Sequence, residues 1–391
     1  MSFYSRLTGS TPLAWKNLVS RPRRTLVAVG GVGFAVFLVF MELGFLNALL
    51  DSTVLLIDRL QADLFLVSPA KFALVVPERF PRERLWQAKA CGVSVHPLYM
   101  ESAYSVLRRP GARGYPIRVV AASLDDRVIE LPDELLVRLG EPWTAIYDEA
   151  SKPHYGFPRA GGPPEATMEL NSRAIRLCGR FRLCTDFATD GTLFMSSENF
   201  FRYFSGRIPA AQDRSRWIDI GLLRLPPGAS AVQVQQCLQR TLPADVTVLT
   251  KPQLRARERM FWIKNTPIGY IFVIGTIIGM VVGTVVCYQV VYAEVDDHIR
   301  EYATLLAIGY SQKYLVSVIL WQSFYLAILG FVPAAVLAAI AYAWLQRGTG
   351  LLLRMPVWLL LLVGVLALLM CFASGLIAIR RLRKADPASL F

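Results

Sequence analysis

Charge is scarce in this chain. Only 18% of its 391 residues are Asp, Glu, Lys or Arg, whereas 54% are hydrophobic, and mean hydropathy is +0.41. Soluble domains carry about 25% charged residues, so an ordinary water-soluble protein is excluded. Catalytic patterns are lacking too. The absence of a G-x-x-x-x-G-K-[ST] phosphate loop argues against nucleotide hydrolysis by the chain itself. No H-E-x-x-H zinc helix or G-x-S-x-G nucleophile elbow is present. Gly31-Val32-Gly33 is a fragment of a dinucleotide pattern inside an apolar run and is discounted. The three histidines, His96, His154 and His298, are too far apart in sequence to form a local ligand set.

What the chain has instead is four long apolar segments, each longer than the roughly 20 residues that cross a bilayer. They lie near Thr25–Leu50, Pro267–Tyr292, Leu315–Leu345 and Val357–Ile379. The first stands alone, separated from the other three by a polar block. The reading is a membrane α-helical protein with four transmembrane helices and a large α+β periplasmic domain between the first and second. Its boundaries are 1–24 for a basic start, 25–50 for the first crossing, 51–265 for the block and 266–292 for the second crossing. A loop at 293–313, a crossing at 314–345, a short loop at 346–356, a crossing at 357–379 and a tail at 380–391 complete it.

The net charge of +13 does not indicate nucleic acid. Basic residues are scattered or sit beside membrane ends, without a recognition motif. Lys16, Arg21, Arg23 and Arg24 precede the first crossing, and Arg380, Arg381, Arg383 and Lys384 follow the last. By the positive-inside rule both termini are cytoplasmic, in a bacterial inner (plasma) membrane, and the block lies outside the cytoplasm. The acidic Glu294, Asp296, Asp297 and Glu301 of the second loop count little in that rule. The first crossing starts too late and runs too long for a cleaved signal peptide.

Thr11-Pro12 reads as a helix start. Leu13, Ala14, Trp15, Leu18 and Val19 then share one face, with Lys16 and Asn17 opposite, as in an amphipathic helix on a membrane surface. Pro22 ends it. In the block, Asp63–Val67, Gly92–Val95, Ile117–Ala122 and Thr192–Met195 read as strands, and Gly161–Pro164 as a loop. Asp219–Leu225, Val232–Thr241 and Asp245–Leu249 form a β-α-β pattern. Gln253–Trp262 reads as a helix running into the second crossing as a continuous stalk. Cys287 and Cys371 lie in crossings as small packing residues. Cys91, Cys178, Cys184 and Cys237 lie in the block, where an oxidising compartment would permit a Cys178–Cys184 bridge.

The crossings hold few ionisable groups, which argues against an ion-coupled carrier; energy then comes from a partner. Glu42 is the exception, and its distance along the helix from Thr25, about 26 Å at ~1.5 Å per residue, places it near the outer boundary and within reach of water. Gly275, Gly279 and Gly283 share one helix face and permit close packing, within the chain or in a dimer. Pro333 is expected to kink the third crossing. In the second loop, Ala303–Ile308 is helix-compatible, Gly309 can end that helix and Ser311 can cap the next. Leu305, Leu306 and Ile308 are apolar in a short loop; they suit a groove on another protein or the bilayer surface, and pattern alone does not choose.

The run Glu301-Tyr-Ala-Thr-Leu-Leu-Ala-Ile-Gly-Tyr-Ser311 resembles the coupling segment of FtsX-like (MacB-type) ABC permeases. Arg380–Leu390, with Asp386-Pro387-Ala388, resembles that family's ending, and the one-plus-three layout matches. Thr11–Val19, Gly31–Val36 with Leu49–Val54, Ala62–Pro69, Val95–Tyr99 and Tyr147–Gly156 are similar to DevC-type permeases across nearly the whole chain. Arg159–Arg216 matches least, and Glu42 stands where a neutral side chain is expected. The resemblance implies a non-enzymatic permease subunit, paired with a second copy of itself, whose Glu301, Leu305, Leu306, Ile308 and Gly309 meet a separate ABC ATPase that binds ATP and Mg. It implies mechanotransmission through a membrane-fusion adaptor to a TolC-like outer-membrane duct, with glycolipid-like cargo. The same architecture would also serve a non-transporting signal transmitter acting on a cell-wall hydrolase or sensor kinase. A membrane enzyme with its site in the block is the third reading, and no catalytic constellation supports it. Lipid bilayer is a partner in every reading; nucleic acid is a partner in none.

Overall fold

The computed structural model describes residues 13–20, 22–158, 165–183, 185–186, 188–205, 214–349 and 352–382. It divides into a membrane unit (Met1–Asn47, Ile268–Leu345 and Leu353–Phe391) and a sheet unit (Ala48–Pro267 with Gln346–Leu352).

In the membrane unit a short helix, α1 (13–20), precedes α2 (Pro22–Arg59). The Thr11-Pro12 start, the Gly161–Pro164 loop and most of the C-terminal basic segment lie outside the described residues. Ala14, Asn17 and Leu18 of α1 are buried, while Trp15 and Val19 are exposed. This corrects the expected polar face: Asn17 points inward. The remaining long helices are α8 (Pro267–Asp297), α10 (Gln312–Thr349) and α11 (Val357–Leu382), with a short α9 (Ile299–Ala307) between the first two. Among the described residues four helices, α2, α8, α10 and α11, are long and apolar enough to cross a membrane. Helix α10 passes through Pro333 as one element.

The sheet unit begins in the last turns of α2 and carries thirteen strands among its described residues. These are β1 (Leu64–Val67), β2 (Phe80–Pro81), β3 (Ser94–Glu101), β4 (Val106–Arg108), β5 (Tyr115–Pro116), β6 (Arg118–Ala122) and β7 (Thr144–Asp148). Then follow β8 (Ala166–Leu170), β9 (Arg173–Phe181), β10 (Thr192–Ser196), β11 (Trp217–Ile218), β12 (Ile220–Arg224) and β13 (Thr247–Thr250). Eleven of them form one sheet in the order β13-β1-β12-β3-β6-β10-β7-β9-β8-β4-β5, and β2 pairs with β11. Five helices accompany them: α3 (Glu83–Ala88), α4 (Asp133–Leu139), α5 (Ser197–Phe204), α6 (Ala231–Thr241) and α7 (Lys251–Lys264).

Strand alternation explains the two cores. Leu64 and Leu66 of β1, with Val119 and Ala121 of β6, face a cluster closed by Leu85 of α3, Phe200 and Tyr203 of α5 and Leu238 of α6. Phe65, Val67, Val120 and Ala122 face the other side, covered by Ile57 of α2, Leu60 just past its end, Leu139 of α4 and Leu254 of α7. Strands covered on both faces read as continuous apolar runs, and each fully buried Leu or Phe contributes about 1.5–3 kcal/mol. The β-α-β expected near the end of the block is present as β12-α6-β13, with β1 inserted antiparallel between its strands. Thr250 and Gln253 form a capping box at the start of α7, worth about 1 kcal/mol.

Helix α7 does not continue into α8. It ends at Lys264, Asn265 caps it by donating its backbone N–H to the Phe261 carbonyl, and α8 starts at Pro267. Proline has no N–H to extend the preceding helix, and its ring clashes with the carbonyl four residues back. It suits the first helical position instead.

Candidate functional site

Helix α9 holds the residues that sequence singled out for partner docking. Its inner face is Tyr302 and Ala303, both buried. Its outer face is Glu301, Thr304 and Ala307, with Leu305 and Leu306 half-buried. Ile308 is 72% exposed at the helix end. Gly309 has φ +102°, and the Tyr310 and Gly309 N–H groups donate to the carbonyls of Leu305 and Leu306. Such a paired closure needs a left-handed residue just past the helix, which glycine supplies without strain. The stop therefore presents Ile308 outward on a defined turn. The five residues Glu301, Leu305, Leu306, Ile308 and Gly309 thus share one short, outward-facing element.

Two contacts that sequence reasoning did not find hold α1, one against α9 and one against α10. Asn17 of α1 donates Nδ2–H to the Tyr302 hydroxyl at 3.4 Å. Burial, with the Glu294 carboxylate nearby, pushes that hydroxyl up to about 12. Trp15 meets the Tyr325 ring edge-on at 5.3 Å between centroids. The only hint was Asn17 itself, a polar residue between apolar Ala14 and Leu18. Just before α9, His298 is buried, with Nδ1 at 3.0 Å from the Glu294 carbonyl.

The glycine face is used inside the chain. A Cβ on Gly275 would stand 2.6 Å from the Glu42 carboxyl carbon. One on Gly279 would stand 3.3 Å from Val39 Cγ2, and one on Gly283 would be 2.8 Å from Ala35 Cβ and overlap Met370 Sδ. Gly275, Gly279 and Gly283 therefore seat α2 on α8, and Gly283 also admits α11. Of the two uses expected for this glycine face, packing within the chain or in a dimer, these contacts are of the first kind. Glu42 packs opposite Gly275, eight positions into α8, about 12 Å along that helix. Tyr342 donates its hydroxyl to the Phe40 carbonyl, fixing α10 to the same stretch of α2.

In the sheet unit the expected Cys178–Cys184 bridge is corrected. Cys178 carries a free, buried thiol on β9, with Sγ at 3.5 Å from the Ala145 carbonyl; Cys184 lies outside the described residues. The disulfide joins Cys91 and Cys237, 146 residues apart, with Cα atoms 6.1 Å from each other. Its partners follow α3 and sit on α6, which no local spacing announces.

Buried charges pin the irregular stretch between β1 and β2. Arg79 reaches Glu101 and Asp219 at 3.2 Å each, and both carboxylates are 2% exposed. Glu101 also accepts from the N–H groups of Ser102, Ala103 and Tyr104. Lys71 donates to the carbonyls of Val76 and Glu78. Glu258 of α7 accepts from Leu74 N–H at 2.8 Å and Trp262 Nε1–H at 3.0 Å. Burial drives the Glu258 carboxyl up to about 7 against those two hydrogen bonds. His96 lies 2.8 Å from Asp126, and His154 stacks near Tyr115. Among the described residues no group of three or more His, Cys, Asp or Glu gathers to hold a metal ion.

Residues 268–387 match the FtsX-like permease C-terminal family. That segment contains α9 and nearly all of α8, α10 and α11. Among solved structures, the periplasmic region of MacB from Actinobacillus actinomycetemcomitans aligns with 51% of this chain and 94% of its own length, at 10% identity and a TM-score of 0.36. The extracellular domain of the noncanonic ABC-type transporter YknZ from Gram-positive bacteria aligns with 48% of this chain and 99% of its own, at 11% identity and a TM-score of 0.31. No curated protein matches the chain.

Proposed function

We propose a function for this chain on the premise that it is an FtsX/MacB-type ABC permease subunit, a premise supported by the match of residues 268–387 to the FtsX-like permease C-terminal family. The subunit is a lever in an ATP-driven exporter. A separate ATPase binds ATP and Mg and closes on hydrolysable nucleotide. Helix α9 receives that motion, and the membrane helices transmit it to the sheet unit on the other side. Two copies of the chain work as a pair. Cargo is taken from the periplasm or outer leaflet and passed through a membrane-fusion adaptor toward an outer-membrane duct; similarity to DevC-type permeases makes lipid-like cargo, glycolipid included, the first substrate class to try.

The observation that carries this reading is α9. An apolar residue 72% exposed on a rigid turn, rimmed by Glu301, is suited to a groove on a partner. Behind it, Tyr302 and Asn17 brace the helix against α1, so that a push on α9 moves more than a loop. The Cys91–Cys237 disulfide fits a sheet unit held in an oxidising compartment outside the cytoplasm. The close α2–α8 seam fits transmission through packed helices, with no hydrophilic conduit required.

Leu306→Asp combined with Ile308→Asp tests the reading. Co-purification of the ATPase subunit and export should both be lost while the permease itself remains folded; retention of both would refute ATPase docking through α9. Sidedness is tested separately. An impermeant thiol reagent should reach Tyr104→Cys in intact cells, and reach Ser311→Cys only after the membrane is opened. Adaptor and duct co-purifying with the complex support export, whereas a hydrolase or kinase in their place supports signalling.

A further inference from the structure

Where α2 begins and α8 ends, charge is placed against both helix dipoles. The first turn of α2 carries Arg23 and Arg24 and no acid. The last turn of α8 carries Glu294, Asp296 and Asp297 and no base. Helix ends favour the opposite signs, so these charges are not there to stabilise their own helices. Arg24 and Asp297 pair across the gap between the two helices. Beside that pair lies a cavity of about 360 Å³, with Arg23 and Glu294 on its wall and Val27 and Val290 forming an apolar side, one from each helix. Ligand sites begin at about 300 Å³. Basic pockets between membrane helices at the end of a bundle hold lipid headgroups.

We propose that this cavity binds the headgroup of an ethanolamine phospholipid. The phosphate lies on Arg23 and on the donors of Arg24 that Asp297 leaves over, since a guanidinium has five N–H groups. The ammonium lies against Glu294 and Asp297. The glycerol and the start of the acyl chains follow Val27 and Val290 into the bilayer. Charge complementarity selects this class. An anionic headgroup would satisfy the arginines but meet the two carboxylates as like charge. A choline headgroup carries the right charge but has no N–H to donate to them. Free phosphate would use the arginines alone.

Native mass spectrometry of the intact protein, released from nanodiscs of equimolar phosphatidylethanolamine, phosphatidylglycerol and phosphatidylcholine, tests the proposal. The expected result is preferential retention of phosphatidylethanolamine. Arg23→Gln should lower that retention about tenfold, the scale of one charge-assisted hydrogen bond. Glu294→Gln should erase the preference for ethanolamine over choline while phosphate-dependent retention persists. Equal retention of the three lipids by the parent protein would overturn the proposal without recourse to any variant. So would a preference that both substitutions leave unchanged. A lipid-free detergent sample that takes up inorganic phosphate, in a protein showing no headgroup preference, would mean a simple anion site and would overturn it as well.

Discussion

The membrane unit and the sheet unit differ in what they leave exposed. In the first, Leu26 and Val357 are 75% and 74% exposed, yet Gly279, Gly283 and Ser374 lie inside. In the second, the apolar side chains are withdrawn into two cores, and Glu101, Arg118, Asp219 and Glu258 are withdrawn with them. The difference is one of solvent. Lipid dissolves apolar surface, so helices there gain little by hiding leucine and associate through small residues and backbone proximity. Water expels apolar surface, so the sheet unit can stabilise itself by burial and still carry ion pairs that hold an irregular stretch in one conformation.

Arg79→Met should break this contrast most. It leaves Glu101 and Asp219 buried without their shared cation and should cost about 3–5 kcal/mol, read as a shift of the sheet unit's denaturant midpoint. A loss under about 1 kcal/mol would show that those charges are not what holds the stretch between β1 and β2. Removing the disulfide with Cys91→Ser and Cys237→Ser together should cost about 2–5 kcal/mol in the same assay, while leaving the melting of the membrane helices unchanged.

Glu258 gives a pH signature. Its carboxyl titrates at about 7 when folded, against an ordinary value of 4.5. Stability is therefore fully present below pH 4.5 and is lost as pH rises through 7, by an amount on the order of 3 kcal/mol. Glu258→Gln should flatten that slope in unfolding curves taken from pH 4 to pH 8; an unchanged slope would assign it to another group. In the membrane unit, Gly283→Leu should cost about 1–3 kcal/mol by overpacking against Ala35 and Met370, measured as detergent thermal stability. Ile308→Asp should stay within about 0.5 kcal/mol of the parent, because the side chain touches little, and yet lose the ATPase subunit on co-purification.

Some of this was legible from residue order. The four crossings are uninterrupted apolar runs, and β1, β6 and β10 are short apolar runs bounded by polar residues, so each is specified by neighbours in the chain. The stop at Gly309 was legible for the same reason. The break between α7 and α8 was within reach too, because Pro267 is incompatible with a continuous helix there. The inward turn of Asn17 was not, since its hydroxyl partner Tyr302 is 285 residues away.

Length, hydropathy and local periodicity were enough to determine the membrane class, the one-plus-three layout and the type of most elements, because those depend on side chains close together in the chain. Only the tertiary structure decided that Cys237 is the partner of Cys91, that the glycine face of α8 receives α2, and that arginine and acid share a cavity where α2 starts and α8 ends. Each of these is a meeting of groups far apart in sequence, and which groups meet is settled by packing of whole elements rather than by any pattern within one of them.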